Sequence, residues 1–165
     1  MSRYPGFVKG KGYAYYDFNG KKVSPYYQEA NQYDENKCAI VQLKNNKYEL
    51  INAEGENVLK ESYPRLEFIG NSYYAAYNKN AQFKVYDCNG KEALSDIYTK
   101  IPETAAIVFD GHPYLALEKN GRSYIYDVDN GMKEIYSIEK EIVLHEEGYF
   151  TIGDKYYTLT GQKIK

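Results

Sequence analysis

The stretch that decides the fold runs from residue 47 to residue 58, Lys47-Tyr48-Glu49-Leu50-Ile51-Asn52-Ala53-Glu54-Gly55-Glu56-Asn57-Val58. It begins with alternating apolar and polar residues, which is the pattern of a half-buried β-strand. An Asn-x-x-Gly turn follows, and an apolar residue returns three positions after the glycine. This order of strand, turn and strand predicts a unit of antiparallel β-structure.

The same pattern recurs along the chain. The anchor glycines are Gly20, Gly55, Gly90, Gly131 and Gly161, with spacings of 35, 35, 41 and 30 residues. A second short apolar run precedes each of the later units, joined by a polar turn such as Asn120-Gly121, whose two residues favour the positive φ angles of a tight hairpin. Repetition of one pattern at intervals of 30 to 41 residues predicts a repeat protein rather than a single irregular domain.

We therefore predict an all-β tandem repeat of hairpins or three-stranded meanders, about 4.5 units of roughly 35 residues within one domain, residues 1–165. The predicted units are 6–38, 39–72, 73–112, 113–147 and 148–165. Each unit is short for a four-stranded propeller blade. An open array is therefore the first prediction, and a small closed propeller is the alternative.

The anchor turns have two interpretations. Asp127-Val128-Asp129-Asn130-Gly131 resembles the start of a calcium loop, but Ile138 occupies the position that requires a bidentate Glu. The simpler interpretation is local, because an Asp or Asn side chain accepts hydrogen bonds from backbone amides two residues further on. We therefore predict structural turns and no metal site.

The repeat resembles a known bacterial family. Residues 47–58 and the stretch Tyr15-Tyr16-Asp17-Phe18-Asn19-Gly20-Lys21-Lys22-Val23-Ser24-Pro25-Tyr26-Tyr27 are similar to the WG, or KWG, repeat, whose unit reads Lys-Trp-Gly-Leu-Ile-Asp-x-x-Gly-Lys, then Val/Ile-x-Pro and Tyr. The Trp and Gly that name the family are replaced here, so the chain looks like a degenerate relative. The replacements are Tyr13, Tyr48, Phe83, Ser123 and Asp154 for Trp, and Ala14, Glu49, Lys84, Tyr124 and Lys155 for Gly. The resemblance implies a β-rich array used for binding, with no shared catalytic residues.

A second resemblance is to choline-binding or cell-wall-binding repeats, carried by residues 15–21 and 156–163. Those repeats are shorter and build their ligand cages from paired tryptophans, whereas this chain has no tryptophan. A carbohydrate-binding or envelope-binding module therefore stays the alternative function.

Composition argues against several other classes. The net charge is −2, with 21 basic and 23 acidic residues interspersed, so neither nucleic-acid binding nor membrane binding is expected. The two histidines, His112 and His145, have no catalytic or metal-binding neighbours in sequence, and no phosphate-binding or nucleophile motif occurs. We predict no enzyme activity and no cofactor.

The two cysteines, Cys38 and Cys88, belong to no CxxC motif. A disulfide between them is one alternative, but we predict two small buried or turn thiols. The amino terminus, residues 1–6, contains no apolar targeting segment, so the predicted location is the cytoplasm, or outside the cell if a signal peptide has been removed.

The abundance of tyrosine points to binding. Twenty-one tyrosines in 165 residues exceed what a small core is expected to hold, and tyrosine provides rigid contact area with a polar tip. Several stand beside charged residues in the connecting segments, and these are the predicted binding residues: Tyr26, Tyr27, Tyr33, Tyr63, Arg65 and Tyr98. The predicted partner is another protein, and the predicted function is a non-catalytic binding module, in the role of an adaptor or of a one-partner inhibitor such as an immunity protein or a phage-encoded antagonist.

Overall fold

The computed structural model describes residues 3–165, so Met1 and Ser2 of the predicted domain lie outside the described residues. Within that range the chain contains sixteen strands and no helix, which confirms the predicted all-β class. The strands are β1 (Tyr4–Val8), β2 (Gly12–Tyr16), β3 (Glu29–Ala30), β4 (Ala39–Gln42), β5 (Tyr48–Ile51), β6 (Arg65–Gly70), β7 (Tyr73–Tyr77), β8 (Phe83–Asp87), β9 (Glu92–Tyr98), β10 (Ala106–Phe109), β11 (His112–Lys119), β12 (Arg122–Asp127), β13 (Lys133–Ile138), β14 (Val143–His145), β15 (Tyr149–Ile152) and β16 (Lys155–Thr158).

The strands form five antiparallel sheets in chain order. The first sheet is β1-β2, the second β3-β4-β5, the third β6-β7-β8-β9, the fourth β10-β11-β12-β13 and the fifth β14-β15-β16. Isolated bridges extend three of them, joining Tyr13 to Tyr27, Tyr48 to Tyr63, and Tyr157 to Lys163. Each sheet is therefore a meander, as predicted, and the third and fourth have four full strands.

Consecutive sheets are joined by segments that hydrogen-bond to both. The amide of Tyr27 donates to the carbonyl of Tyr13 in the first sheet at 2.6 Å, and the next amide, of Gln28, donates to Gln42 in the second sheet at 2.8 Å. Tyr98 pairs with Phe83 in the third sheet, and the following amide donates to the carbonyl of Glu118 in the fourth. At these two junctions the chain thus stays hydrogen-bonded as it leaves one sheet and reaches the next.

The sheets pack face to face, and each of four apolar clusters lies between two neighbours. Tyr15 packs on the second sheet, and Leu50 of the second packs on the third. Val85 of the third sheet packs on the fourth, and Ile125 of the fourth packs on the fifth. Among residues 3–165 no such cluster joins the first sheet to the fifth, so the sheets form an open array.

The anchor turns have the predicted local structure. The Oδ1 atom of Asp17 accepts hydrogen bonds from the amides of Asn19 and Lys21, both at 2.9 Å. Asn52 and Asp87 accept two amides each in the same way. We call these Asx turns, and the interpretation as structural turns is confirmed for these three units.

The anchor glycines also allow the sheets to approach each other. Gly20, Gly90 and Gly161 all have positive φ angles of 76°, 79° and 87°. A Cβ atom at Gly90 would overlap the carbonyl oxygen of Val58 in the second sheet, and one at Gly161 would overlap the ring of Tyr136 in the fourth. At Gly20, in the first sheet of the described residues, nothing lies within 4 Å. Gly90 and Gly161 therefore serve both backbone conformation and packing on the preceding unit, whereas at Gly131 nothing lies within 4 Å.

The sheets are offset from the predicted units by one strand. The predicted unit starts at residues 39, 73, 113 and 148 fall at the second strand of a sheet, namely β4, β7, β11 and β15. A repeat period determines the length of a unit, but it leaves the starting point open.

The two cysteines form a disulfide, so the prediction of free thiols is wrong. Cys38 and Cys88 lie 50 residues apart with their Cα atoms separated by 6.0 Å. Cys38 lies immediately before β4 and Cys88 lies in the Asx turn of the third sheet, and stacking of the second and third sheets brings them together. This contact was not accessible from the sequence, because it depends on which turns of neighbouring sheets meet.

Candidate functional site

Two kinds of turn lie at one end of the array: the Asx turns, and the turns between the first and second strands of the later sheets. Since successive strands of a meander run in opposite directions, the turn between the first and second strands of the second to fifth sheets lies at the same end as the Asx turn. In the third sheet these are the turn at residues 70–72 and the turn at residues 87–90. We call this end of the array the Asx-turn face.

Large apolar side chains are exposed on the Asx-turn face. Phe18 lies within the first Asx turn with 78% of its surface exposed, and Phe68 lies just before the turn of the third sheet. Val108 and Phe109 immediately precede the corresponding turn of the fourth sheet. These four are among nine exposed large apolar residues within the described range. These exposed apolar side chains are the candidates for contact with a partner at this end of the array.

Clefts between neighbouring sheets open on the same face. One, with a volume of about 320 Å³, lies between the second and third sheets and is lined by Lys37, Asn52, Glu54 and Asn89. A smaller one of about 210 Å³ lies between the third and fourth sheets. The face therefore combines apolar projections with polar clefts, which are the two kinds of contact found in protein interfaces.

The six predicted binding residues do not form one site. Tyr27, Tyr63 and Tyr98 occupy equivalent positions in three consecutive sheets, each paired with the strand before the Asx turn. Tyr27 and Tyr98 are buried, and the Tyr98 hydroxyl is 2.7 Å from that of Tyr126. Burial raises the pKa of Tyr98 to about 12. The prediction of a surface role is wrong for these two residues, because the stacked sheets bury the equivalent position.

Tyr26 and Tyr33 are half-buried in different surroundings. The Tyr33 hydroxyl donates to the carbonyl of Asn52 at 3.0 Å, and its ring lies 4.9 Å from that of Tyr15. Tyr33 thus holds the first sheet against the second. The ring of Tyr26 lies on the first sheet beneath the ammonium of Lys22, which is 4.3 Å from the ring centre.

Tyr63 and Arg65 remain accessible and lie close in sequence. Tyr63 lines a cleft of about 270 Å³ between the second and third sheets, together with Asn78, Lys84 and Ile97. Burial and the neighbouring hydroxyl of Tyr86 raise the pKa of Tyr63 above its ordinary value. Arg65 pairs with Glu67 and stacks on the ring of Tyr77 at 4.9 Å.

Sequence reasoning missed the exposed residues of the Asx-turn face. Phe18 had a usable signal, because an aromatic residue inside a polar Asp-x-Asn-Gly turn has no core to enter. Phe68 and Val108 had none, because their alternation with buried neighbours looks like that of any strand.

The titratable groups form no recognisable catalytic arrangement within residues 3–165. Both cysteines are in the disulfide, and a disulfide sulfur is no nucleophile of the thiolate type. The Nδ1 atom of His112 lies 3.7 Å from the carboxylate of Asp129, and both side chains are exposed. His145 contacts the hydroxyl of Thr151 at 3.0 Å and stacks on Tyr149. No cluster of three or more potential metal ligands occurs in this range.

Comparisons with known proteins support the fold and give no family. No family model matches the chain, and no curated protein has a similar sequence. A solved structure described as the eukaryotic initiation factor matches with a TM-score of 0.52 and 14% identity, covering 96% of this chain and 49% of that one. KlHsv2 with loop 6CD replaced by a Gly-Ser linker matches with a TM-score of 0.47 and 7% identity, covering 94% of this chain and 59% of that one. BamB from Moraxella catarrhalis matches with a TM-score of 0.40 and 12% identity, covering 98% of this chain and 62% of that one. The chain thus spans about half the length of the initiation factor structure.

The part of the chain that the structure describes contains no helix long and apolar enough to cross a membrane.

Proposed function

We propose that this protein is a non-catalytic protein-binding module whose Asx-turn face contacts the partner. The observation that carries the proposal is the exposure of Phe18, Phe68, Val108 and Phe109 on that one face. Burying such side chains against a partner is favourable by about 25 cal/mol per Å² of apolar surface. An adaptor or a one-partner inhibitor are the roles that this surface suits.

The scaffold supports recognition by a preformed surface. The face is built from turns whose amides are held by Asp17, Asn52 and Asp87, and each turn rests on a packed sheet. A surface that is ordered before binding loses little conformational entropy on association. The clefts beside the turns add polar groups that select the orientation of the partner.

The test compares partner capture by two matched variants. The tagged wild-type chain is incubated with lysate of its source or host, and stoichiometric partners are identified by mass spectrometry. We expect Phe68→Ser combined with Val108→Ser to abolish capture of the partner. Phe7→Ser, an exposed phenylalanine beside the opposite hairpin turn, is the control and leaves capture unchanged. Equal capture by both variants would falsify the proposed face.

The second candidate function is binding of carbohydrate or cell-envelope material. The observation that favours it is the 270 Å³ cleft at Tyr63, which combines the rings of Tyr63 and Tyr86 with the amide groups of Asn78 and Gln82. Aromatic rings and amides are the groups that bind the faces and hydroxyls of sugars. Retention on purified envelope material that is lost in Tyr63→Ala and kept in Phe68→Ser would select this function over the first.

The Cys38–Cys88 disulfide bears on where the protein works. Disulfides persist in oxidising compartments and are rare in the cytoplasm. We therefore favour a periplasmic or extracellular location over the cytoplasm predicted from the amino-terminal sequence. Alkylation of thiols in intact source cells tests this, since free Cys38 and Cys88 would become labelled in the cytoplasm and would stay unlabelled in an oxidising compartment.

A further inference from the structure

The two ends of the strands carry opposite charges. The hairpin turns that precede β2, β5, β8, β12 and β16 lie at the end opposite the Asx-turn face, and we call this end the hairpin-turn face. Counting the residue on either side, these five turns contain one acidic residue, Asp154, and eight basic ones: Lys9, Lys11, Lys44, Lys47, Lys79, Lys119, Arg122 and Lys155. The five anchor turns, counted to the residue after the glycine, contain Lys21 and Lys91 against six acidic residues: Asp17, Glu54, Glu56, Asp87, Asp127 and Asp129. The net charge of −2 therefore describes neither end of the array.

The hairpin turns of successive sheets lie side by side. The ammonium of Lys44 donates to the carbonyl of Lys11 at 2.8 Å, which joins the turns of the first and second sheets. The chain enters the third sheet at Arg65, which pairs with Tyr77 at the start of the third turn. Stacked sheets lie about 10 Å apart, which sets the spacing from turn to turn. The turns of the first three sheets thus form a row of five exposed lysines, which we call the lysine row: Lys9, Lys11, Lys44, Lys47 and Lys79.

The ammonium groups of the lysine row are not neutralised by the protein itself. None of the five forms an ion pair with a carboxylate among residues 3–165. The fourth sheet differs, because Lys119 pairs with Asp96 at 3.5 Å and Arg122 pairs with Glu139 at 3.6 Å. A row of exposed, unpaired ammonium groups attracts a partner of negative charge.

The 270 Å³ cleft at Tyr63 lies beside the lysine row. Its lining includes Asn78 and Gln82, the first and last residues of the third hairpin turn, and Lys79 lies between them in that turn. Tyr63 pairs with Tyr48, the residue that follows Lys47. Lys47 therefore belongs to the sheet on one side of the cleft and Lys79 to the sheet on the other. The cleft is also lined by Glu61.

We propose that the hairpin-turn face binds a linear anionic polysaccharide, with one sugar ring in the Tyr63 cleft and the negative groups of its neighbours on the lysine row. A polymer with regularly spaced anions matches cations that recur from sheet to sheet. Glu61 favours a sugar over a nucleic acid, because a carboxylate accepts hydrogen bonds from sugar hydroxyls and repels the phosphate beside a stacked base. The inference rests on the second candidate function, to which it adds the charge of the ligand, and it is independent of the Asx-turn face.

The test measures binding of three polymers by isothermal titration calorimetry. The probes are polygalacturonate, its methyl ester, in which the same chain is uncharged, and a thymidine oligonucleotide. We expect the wild-type chain to bind polygalacturonate most tightly, with an affinity that falls as salt rises because exposed charges are screened. Combining Lys44→Gln, Lys47→Gln and Lys79→Gln should lower that affinity about tenfold, since each exposed ion pair adds a small separate contribution. The same variant should bind the methyl ester as the wild type does.

The control makes the same change of net charge on the Asx-turn face. Combining Lys21→Gln, Lys37→Gln and Lys91→Gln should leave binding of polygalacturonate unchanged. A wild-type chain that does not bind polygalacturonate overturns the proposal, as does one that binds the oligonucleotide equally well. Equal affinity for polygalacturonate and its methyl ester overturns the charge requirement while the second candidate function stands, so the two failures are distinguishable. The partner-capture test of the Asx-turn face is unaffected, because it changes Phe68 and Val108 only.

Discussion

The middle of the array and its first sheet are built from the same local structure but have different surroundings. Tyr74 and Tyr4 share one position in the repeat, and both pair with a tyrosine that precedes an Asx turn. In the third sheet the Tyr74 ring is enclosed and its hydroxyl donates to the carboxylate of Asp34 in the second sheet. Burial and the Asp34 charge raise the pKa of Tyr74, whereas the ring of Tyr4 is open to solvent.

The comparison separates what a strand does alone from what its neighbours add. The alternating pattern forms a sheet in both places, since β1 and β2 are regularly paired from Tyr4–Tyr16 to Val8–Gly12 with no earlier sheet among the described residues. Packing energy comes from the adjacent unit, as in other repeat proteins, whose stability is approximately a sum of unit and interface terms. Substitutions at equivalent positions therefore measure the interface term directly.

The largest difference is expected between Tyr74→Ala and Tyr4→Ala. Removing a fully buried aromatic ring costs about 3–5 kcal/mol, and Tyr74→Ala also leaves the Asp34 carboxylate without its hydroxyl partner. Tyr4→Ala removes a ring that is half-exposed, and its effect should stay below about 1 kcal/mol. Urea denaturation followed by tyrosine fluorescence measures both. Equal losses of stability would show that the first sheet is covered in solution.

Reduction of the disulfide is the next largest expected change. Opening a 50-residue loop is expected to cost about 2–4 kcal/mol. Because the bond joins the second sheet to the third, hydrogen exchange should accelerate at β4, β5, β7 and β8 first. Strands of the fourth and fifth sheets serve as the internal control and should keep their protection. A uniform loss of protection would mean that the array unfolds as one cooperative unit.

Two anchor glycines provide a more closely matched pair of substitutions. Gly20→Ala and Gly90→Ala introduce the same methyl group at nearly the same φ, 76° and 79°, so both share the backbone strain. Only Gly90→Ala also collides with the Val58 carbonyl, and overpacking of this kind costs about 1–3 kcal/mol more. Thermal denaturation of the two variants measures this difference in stability. Identical melting temperatures would contradict a packing role for Gly90.

The smallest expected change in stability comes from comparing the regular Asx turn of the third sheet with the longer turn of the fourth. Asp87 accepts two amides, so Asp87→Ala should cost about 1–2 kcal/mol. The equivalent Asp127 stands before a turn with one additional residue, and its Oδ1 atom is buried without a hydrogen-bond partner. Asp127→Ala should therefore be neutral or slightly stabilising in urea denaturation. A larger loss for Asp127→Ala than for Asp87→Ala would contradict this view of the inserted residue.

Most of the architecture could be predicted from the sequence because local sequence patterns determine it. Strand alternation, turn residues and the glycine period are properties of short segments, and they correctly predict an open all-β repeat. The hairpin at Asn120-Gly121 also forms as expected, with φ angles of 51° and 80°.

The features that the sequence did not predict depend on how units meet. The pairing of Cys38 with Cys88 and the burial of Tyr98 both arise between sheets. Tyrosine can fill a core or cover a surface, so its type alone could not separate Tyr98 from Tyr63. The same ambiguity explains why the exposed phenylalanines of the Asx-turn face were missed.

The connecting segments have a consequence for how such a protein changes length. Tyr27 and Gln28 form backbone hydrogen bonds with the first and second sheets, respectively. Tyr98 and Thr99 do the same with the third and fourth sheets. A duplication that begins just after one of these junctions and ends just after another would give every new strand the neighbours it needs. A duplication whose two ends fall at non-equivalent positions of the repeat would leave a strand without its partner. The gene can therefore lengthen or shorten by whole sheets without loss of hydrogen bonding, provided that both ends of the duplicated segment fall at equivalent positions of the repeat.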